Sequence, residues 1–140
     1  MRRLRVLIAD GKNLAATRLG AQLASLGHDV LPVAPDGPAA VTAARRLRPD
    51  LVLLTMQLAR MDGIRTAQTI LARQVMPIIL ASGYLSAGLV QRAQGAGILV
   101  CLTIPSEARE LAQVIDLTLT RFQALTPKPG RHRDPAKRAW

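Results

Sequence analysis

The sequence is poor in aromatic residues, in cysteine and in long apolar runs, and each shortage excludes a class of protein. Aromatic residues make up 2% of the 140 residues, so the core must be built from Leu, Ile, Val and Ala. The single cysteine, Cys101, excludes an internal disulfide, and its place in the run LVCL indicates a small core residue. The longest apolar runs are far shorter than the roughly 20 residues that span a bilayer. The basic and then apolar N-terminus is interrupted at Asp10, so we expect no secretory signal but a cytoplasmic protein without a membrane span.

Acidic residues are also scarce, with 9 against 19 basic residues and a net charge of +10. Arg2, Arg3 and Arg5 crowd the N-terminus, and the segment 126–140 carries five basic residues, one acidic residue and three prolines. We therefore expect a domain over residues 1–125 and a basic, disordered tail over 126–140. The tail is interpreted as a solubilising segment or linker remnant; the alternatives are contacts with nucleic acid, acidic protein or anionic membrane.

Short apolar runs alternate with stretches of helical periodicity along residues 4–124. Five apolar strands that alternate with five helices indicate a parallel sheet covered on both faces. Right-handed crossovers then favour a flavodoxin-like, doubly wound five-stranded sheet of order 2-1-3-4-5. The predicted strands cover residues 4–10, 29–33, 51–55, 77–81 and 98–102, and the predicted helices cover 14–26, 38–47, 64–73, 86–94 and 107–124.

Four segments of the sequence resemble the receiver domain of bacterial two-component response regulators. They are RVLIAD, RPDLVLLTMQLARMDG, PIILASGY and GAGILVCL, in the order and spacing of that family. The resemblance covers residues 4 to about 124. It implies phosphoryl transfer from a kinase histidine to an aspartate, with acidic residues that hold Mg²⁺ and with a lysine and a hydroxyl that bind the phosphoryl oxygens.

The residues that the resemblance places in this reaction are mostly replaced. Thr55 stands at the nucleophile position, Gly11 at the second acidic position and Leu102 at the lysine position, while Asp10 and Ser82 match the family. A threonine hydroxyl needs an adjacent base, and one carboxylate is a poor Mg²⁺ site. The resemblance therefore implies an atypical pseudo-receiver that is not an enzyme and has no metal or cofactor. We expect Thr55 to hydrogen-bond locally, to Ser82 or to Asp10.

Asp10, Thr55 and Ser82 follow the first, third and fourth predicted strands, whose ends meet at the carboxyl edge of the sheet. A second use of this edge is suggested by Gly11, Lys12 and Asn13, which open the first predicted helix. The free N–H groups and the dipole of a helix N-terminus favour anions, so these three residues form a candidate anion site. The alternative is a helix that is simply capped by Asn13.

The remaining feature is a candidate interaction surface on the last strand and helix. In the family, the face made by helix four, strand five and helix five is where partners or a second copy dock. We expect a homodimer or a contact with a histidine kinase or another regulator through that face; scattered surface hydrophobes are the alternative. The candidate surface residues are Leu102, Ile104, Glu110, Val114, Leu117 and Arg121.

Three functions are consistent with the sequence. The first is a pseudo-receiver that acts in two-component signalling through protein contacts that do not require phosphorylation. The second is a nucleic-acid-associated regulator that uses the basic termini. The third is a receiver that is still phosphorylated, on Thr55 or on another residue.

Overall fold

Residues 2–12 and 14–125 are described by a computed structural model, in which a parallel five-stranded sheet has the order β2-β1-β3-β4-β5. This confirms the flavodoxin-like fold predicted from the sequence. The strands are β1 (Arg5–Ala9), β2 (Asp29–Val30), β3 (Leu51–Thr55), β4 (Ile78–Ser82) and β5 (Val100–Thr103). The helices are α1 (Leu14–Ser25), α2 (Gly37–Leu47), α3 (Gly63–Leu71), α4 (Ala87–Gly95) and α5 (Ala108–Leu125).

The two faces of the sheet carry separate aliphatic cores. Because successive side chains of a strand point to opposite faces, the apolar run of β3 supplies both cores. Val52 and Leu54 pack with side chains of α2, α3 and α4, and Leu51 and Leu53 pack with side chains of α1 and α5. No helix among residues 2–12 and 14–125 is long and apolar enough to cross a bilayer.

The edge strand β2 is shorter than predicted, two residues instead of the expected 29–33. The chain nevertheless follows β1 further, because the N–H groups of Leu31 and Ala34 donate to the carbonyls of Val6 and Ile8. The donors to β1 are two residues apart from Asp29 to Leu31 but three apart from Leu31 to Ala34, so the regular ladder ends there.

The side chains that begin the helices are short and polar. Asp36, Asp62 and Ser86 accept the N–H three residues ahead, at 2.8, 2.8 and 3.0 Å, and so begin α2, α3 and α4. At the start of α5 the Glu110 carboxylate accepts the N–H of Glu107 at 2.9 Å, which is half of a capping box. These contacts hold the helix N-termini at the carboxyl edge of the sheet.

The apolar periodicity of residues 107–124 predicts a buried stripe on α5 at residues 108, 111, 112, 115, 119 and 122, and the observed buried face differs from it in part. Leu111 and Ile115 are buried as predicted, but Thr118 is buried as well, with its hydroxyl donating to the Val114 carbonyl at 2.6 Å. Val114, which lies outside that predicted stripe, also packs against the core beneath α1 and α5. The local hydrogen bond satisfies the Thr118 hydroxyl, so a threonine can replace an apolar residue on this face.

Candidate functional site

A cavity of about 570 Å³ opens at the carboxyl edge of the sheet, between the ends of β1, β3 and β4 and the loop after β5. Asp10, Thr55 and Ser82 bring polar side chains to its wall from the ends of β1, β3 and β4, and Leu14 and Ile104 bring apolar side chains from α1 and from the loop. It is lined by Asp10, Lys12, Leu14, Ala15, Thr55, Met56, Gln57, Ala81, Ser82, Gly83, Tyr84 and Ile104. Sequence reasoning placed Asp10, Thr55 and Ser82 together at this edge, and the structure brings these three residues to one cavity.

Thr55 ends β3 at the floor of this cavity, where its side chain is 7% exposed. Its hydroxyl Oγ1 lies 3.2 Å from the Ala9 carbonyl oxygen and 3.4 Å from Oδ1 of Asp10. A hydroxyl has one proton to donate, so these two acceptors share it. Of the two expected partners, Asp10 is observed, and the bond to Ser82 is not among the contacts of Thr55 in the described residues. The hydroxyl is thus held by local hydrogen bonds.

Asp10 is buried and serves the fold as a helix cap. Its Oδ2 accepts the N–H of Ala16, in the first turn of α1, at 2.9 Å. Its Oδ1 accepts the N–H of Lys12 and the Thr55 hydroxyl, both at 3.4 Å. A carboxylate at a helix N-terminus satisfies orphan donors and interacts favourably with the helix dipole. The carboxylate therefore ties together β1, β3 and α1.

The glycine of the Met61-Asp62-Gly63 segment is required by a close approach to Thr55. A Cβ at Gly63 would lie 2.6 Å from the Thr55 carbonyl oxygen and 2.7 Å from Cδ1 of Leu80. The Gly63 N–H also donates to the Met56 carbonyl at 2.9 Å, and Asp62 begins α3. This segment therefore packs the start of α3 directly onto the end of β3.

Ser82 ends β4 on the wall of the cavity, and its hydroxyl donates to the Tyr84 carbonyl at 2.9 Å. The same hydroxyl oxygen lies 3.4 Å from the Tyr84 N–H. Ser82 is thus held within its own turn.

The structure does not bring Leu102 to the cavity, so its predicted position there is wrong. Leu102 is 5% exposed and packs in the core beneath α1 and α5, level with Ala81 in the sheet register. The chain continues past Ser82, where the Ile104 N–H donates to the Ser82 carbonyl at 2.9 Å, and Ile104 then lines the cavity. The apolar side chain at this wall is therefore Ile104, two residues further than the apolar run of the sequence indicates.

The predicted anion site is only partly described. Gly11 and Lys12 are exposed, and Asn13 lies outside the described residues. The Lys12 N–H already faces the Asp10 carboxylate. The anion site therefore stays a prediction.

The predicted interaction surface is less apolar than the sequence suggests. Leu102 lies in the core, and Ile104 and Val114 are half-buried against it. Among the candidate surface residues, Leu117 is the apolar one that faces solvent, with 42% exposure. The charged members, Glu110 and Arg121, are exposed and bond to backbone at Glu107 and Leu99.

A second cavity of about 280 Å³, which sequence reasoning missed, adjoins the first and lies between α1 and the loop after β5. Leu14 stands at its rim with 77% exposure. Arg18 and Gln22 donate across it to the Ser106 carbonyl, at 3.3 and 2.6 Å, which fixes α1 against the loop. We call this cavity, with Leu14, Ile104 and Pro105 on its wall, the Leu14 groove. The signal in the sequence is Leu14 itself, an apolar residue in the first turn of a helix.

Among residues 2–12 and 14–125, no group of three or more His, Cys, Asp or Glu residues could hold a metal ion. Asp10 is the one carboxylate among these residues that lines the cavity at the carboxyl edge. Mg²⁺ sites in proteins are built from carboxylates and retained waters, and the ion dehydrates reluctantly. The described groups at this cavity fit a structural hydrogen-bond network better than a metal site.

The comparisons with known proteins agree with the fold. The response regulator receiver domain family matches residues 6–116. The transcriptional regulatory protein PdtaR of Mycobacterium tuberculosis is 33% identical over 126 residues, which are 90% of this chain and 62% of PdtaR. The chain therefore spans less than two thirds of that relative.

Solved structures show the same fold. The signal receiver domain of a modulated diguanylate cyclase from Desulfovibrio desulfuricans superimposes with a TM-score of 0.80 at 33% identity, covering 89% of this chain and 100% of that domain. A CheY-like receiver domain protein from Methanospirillum hungatei shares the fold with a TM-score of 0.77 at 21% identity, covering 89% and 100% of the two chains. The chain belongs to the response regulator receiver family of two-component signalling.

Proposed function

We propose that the chain is a pseudo-receiver, a protein-interaction module of two-component signalling that acts without being phosphorylated and has no enzymatic activity. The observation that carries the proposal is the hydrogen-bond network of Thr55 and Asp10. A hydroxyl stands where the family's reaction needs a carboxylate nucleophile, and the one carboxylate beside it caps α1.

The chemistry of the cavity supports the proposal step by step. Attack on phosphorus by a hydroxyl requires a base to take its proton, and Asp10 is the only described carboxylate within reach of Thr55. Asp10 also accepts the N–H of Ala16, so one of its two oxygens caps α1. Ile104 adds an apolar side chain where a phosphoryl group needs a cation. The cavity therefore lacks the carboxylate nucleophile and, at Ile104, the cation of the family's reaction.

A role in gene regulation is suggested only by the name of the relative PdtaR. PdtaR is a transcriptional regulatory protein, and this chain spans 62% of it. We extend to this chain the role of signalling component with a protein partner, such as a histidine kinase or another regulator.

The partner contact is assigned to the Leu14 groove. Leu14, Ile104 and Pro105 present an apolar surface next to the cavity, and Arg18 lies on its wall. The homodimer expected through α4, β5 and α5 would depend on Leu117, because it is the one exposed large apolar residue among the candidate surface residues. Apolar surface that is exposed and contiguous marks interaction sites better than single exposed hydrophobes do.

The proposal is tested in two steps with the full chain. The chain is first incubated with acetyl phosphate and Mg²⁺ and weighed by intact mass spectrometry, and no phosphoryl adduct is expected. A stable adduct on Thr55 would show that the receiver is still active.

The second step separates the two contact surfaces by a matched pair of variants. Leu14→Ser and Leu117→Ser make the same change, from an exposed leucine to a serine, one in each surface. We expect Leu14→Ser to lose binding to histidine kinases and regulators of the same cell, and Leu117→Ser to keep it. If Leu117→Ser alone changes the sedimentation behaviour of the chain, the homodimer face is the correct assignment.

A further inference from the structure

Two of the large hydrophobic side chains that the chain exposes line the cavity at the carboxyl edge. Leu14 and Tyr84 are each 77% exposed, and both belong to the wall of this cavity. Tyr84 is the single tyrosine of a sequence with 2% aromatic residues. Ile104 adds a third apolar side chain to the same wall. Exposed apolar groups that gather at one concave site mark a binding surface better than scattered ones do.

The cavity is large enough to hold a small organic molecule. Its volume is about 570 Å³, and it continues into the Leu14 groove, whose volume is about 280 Å³. Four residues line both: Leu14, Ala15, Gly83 and Ile104. Sites for small molecules have volumes of about 300–1,000 Å³, mostly apolar walls and a few polar groups that fix the orientation of the ligand. The cavity has the size and the mixed wall of such a site.

The polar groups on the floor of the cavity are already bonded to the protein. Both oxygens of Asp10 accept hydrogen bonds from the chain, and the Thr55 hydroxyl faces the Ala9 carbonyl and Asp10. The Ser82 hydroxyl donates within its own turn. The two hydroxyl protons are therefore in use, and the Asp10 carboxylate would repel an acidic group placed on the floor.

The open side of the cavity carries a cation without a partner. Lys12 is exposed and lines the cavity. Its ammonium group makes no ion pair or hydrogen bond with the residues of 2–12 and 14–125. Its charge is therefore available to an anionic group of a ligand on the solvent side, whereas the Asp10 carboxylate is buried.

The charges at the cavity favour an acidic ligand over an amine. An ammonium group would have to pair with Asp10, which is 7% exposed and already interacts with the start of α1 through the Ala16 N–H. The net charge of the chain, +10, also attracts anions and repels cations. A carboxylate at Lys12 meets neither obstacle.

We propose that the cavity at the carboxyl edge binds a small organic acid, whose apolar body lies against Leu14, Tyr84 and Ile104 and whose carboxylate pairs with Lys12. This activity goes beyond the function proposed above and does not depend on it, because it is a binding equilibrium of the chain alone, without a protein partner or a phosphoryl donor.

The test uses three probes that share a phenylalkyl body: 3-phenylpropanoate, its neutral amide and 3-phenylpropylammonium. Each is titrated into the full ¹⁵N-labelled chain, and binding is followed by the amide shifts in ¹H–¹⁵N NMR spectra. We expect saturable binding of the carboxylate in the millimolar range or tighter, with shifts at Thr55, Ser82 and Tyr84. The amide should bind about two- to fivefold more weakly, because it lacks the charge that pairs with Lys12. The ammonium probe should bind more weakly still.

Lys12→Gln removes the cation and leaves the apolar wall in place. It should weaken binding of the carboxylate by about two- to fivefold and leave binding of the amide unchanged. The matched control is Arg73→Gln, which removes one exposed cation that does not line the cavity. The control should bind all three probes as the unsubstituted chain does. Equal weakening by the two variants would show a response to net charge alone and would overturn the proposal.

Leu14→Ser tests the apolar wall, and Leu125→Ser is its matched control, because these leucines are 77% and 68% exposed. Leu14→Ser should weaken the carboxylate and the amide alike, by about five- to tenfold, and Leu125→Ser should weaken neither. The proposal is overturned if the carboxylate does not bind saturably, if the ammonium probe binds more tightly, or if the shifts centre on the separate cavity of Leu71, Val75 and Leu125. None of these outcomes bears on the phosphorylation test or the partner test of the proposed function, which have their own readouts.

Discussion

Replacement of Asp10 by alanine distinguishes a structural cap from a residual metal ligand. The carboxylate accepts the Ala16 N–H at 2.9 Å and two weaker donors at 3.4 Å. A hydrogen bond to a charged group contributes about 1.5–3 kcal/mol, and the orphaned N–H of Ala16 adds to the loss. We expect Asp10→Ala to lower the free energy of unfolding by about 2–4 kcal/mol, measured by urea denaturation without metal.

Asp62→Ala is the matched control for this measurement. Asp62 is also a carboxylate that caps a helix, but it makes a single exposed bond of 2.8 Å to the Arg65 N–H. Loss of such a cap costs about 1 kcal/mol. A ligand that binds only the folded state stabilises it. Because we expect no Mg²⁺ site at Asp10, Mg²⁺ should leave the urea midpoint of the unsubstituted chain unchanged. The reasoning is refuted if Asp10→Ala costs no more than Asp62→Ala, or if Mg²⁺ stabilises the chain and Asp10→Ala abolishes that effect.

Three further predictions concern the packing around the sheet. Gly63→Ala should destabilise the chain by about 1–3 kcal/mol in urea denaturation, because its Cβ would lie 2.6 Å from a backbone oxygen; Gly88→Ala, with open space around it, should be neutral or stabilising by up to about 1 kcal/mol. His28→Ala should cost about 1–3 kcal/mol in the same assay, because the buried N–H of Leu4 loses its acceptor Nδ1, and an unchanged midpoint would contradict this. Burial raises the pKa of the Cys101 thiol, so iodoacetamide should label it slowly at neutral pH and rapidly once urea unfolds the chain; equal rates would contradict the assigned burial.

The central strand and the helix starts could be predicted because their sequence patterns are compatible with few other structures. The run Leu51–Thr55 is apolar on both faces, which occurs in a central parallel strand, and it forms β3 with the predicted bounds. The boundaries at Asp36, Asp62 and Ser86 follow from their capping side chains. These are local signals, and local signals can be read from the sequence.

The contents of the cavity depended on register and on long-range contacts, which the sequence does not display. Leu102 and Ile104 are both apolar residues of one run, and only the pairing of Ser82 with Thr103 shows that Ile104 borders the cavity. The bond from Ala16 to Asp10 could not be predicted either, because Asn13 offers a closer capping residue in the sequence. His28 shows the same difficulty, since its partner Leu4 is 24 residues away.

The central claim is that the chain does not accept a phosphoryl group, and a reconstructed variant gives the most direct test. Gly11→Asp, Thr55→Asp and Ile104→Lys together restore the carboxylates and the cation that the family's reaction needs, and a Cβ at Gly11 would make only ordinary contacts, the nearest at 3.5 Å. With acetyl phosphate and Mg²⁺, intact mass spectrometry should show one phosphoryl group on the triple variant and none on the unsubstituted chain. A phosphoryl adduct on the unsubstituted chain would contradict the account.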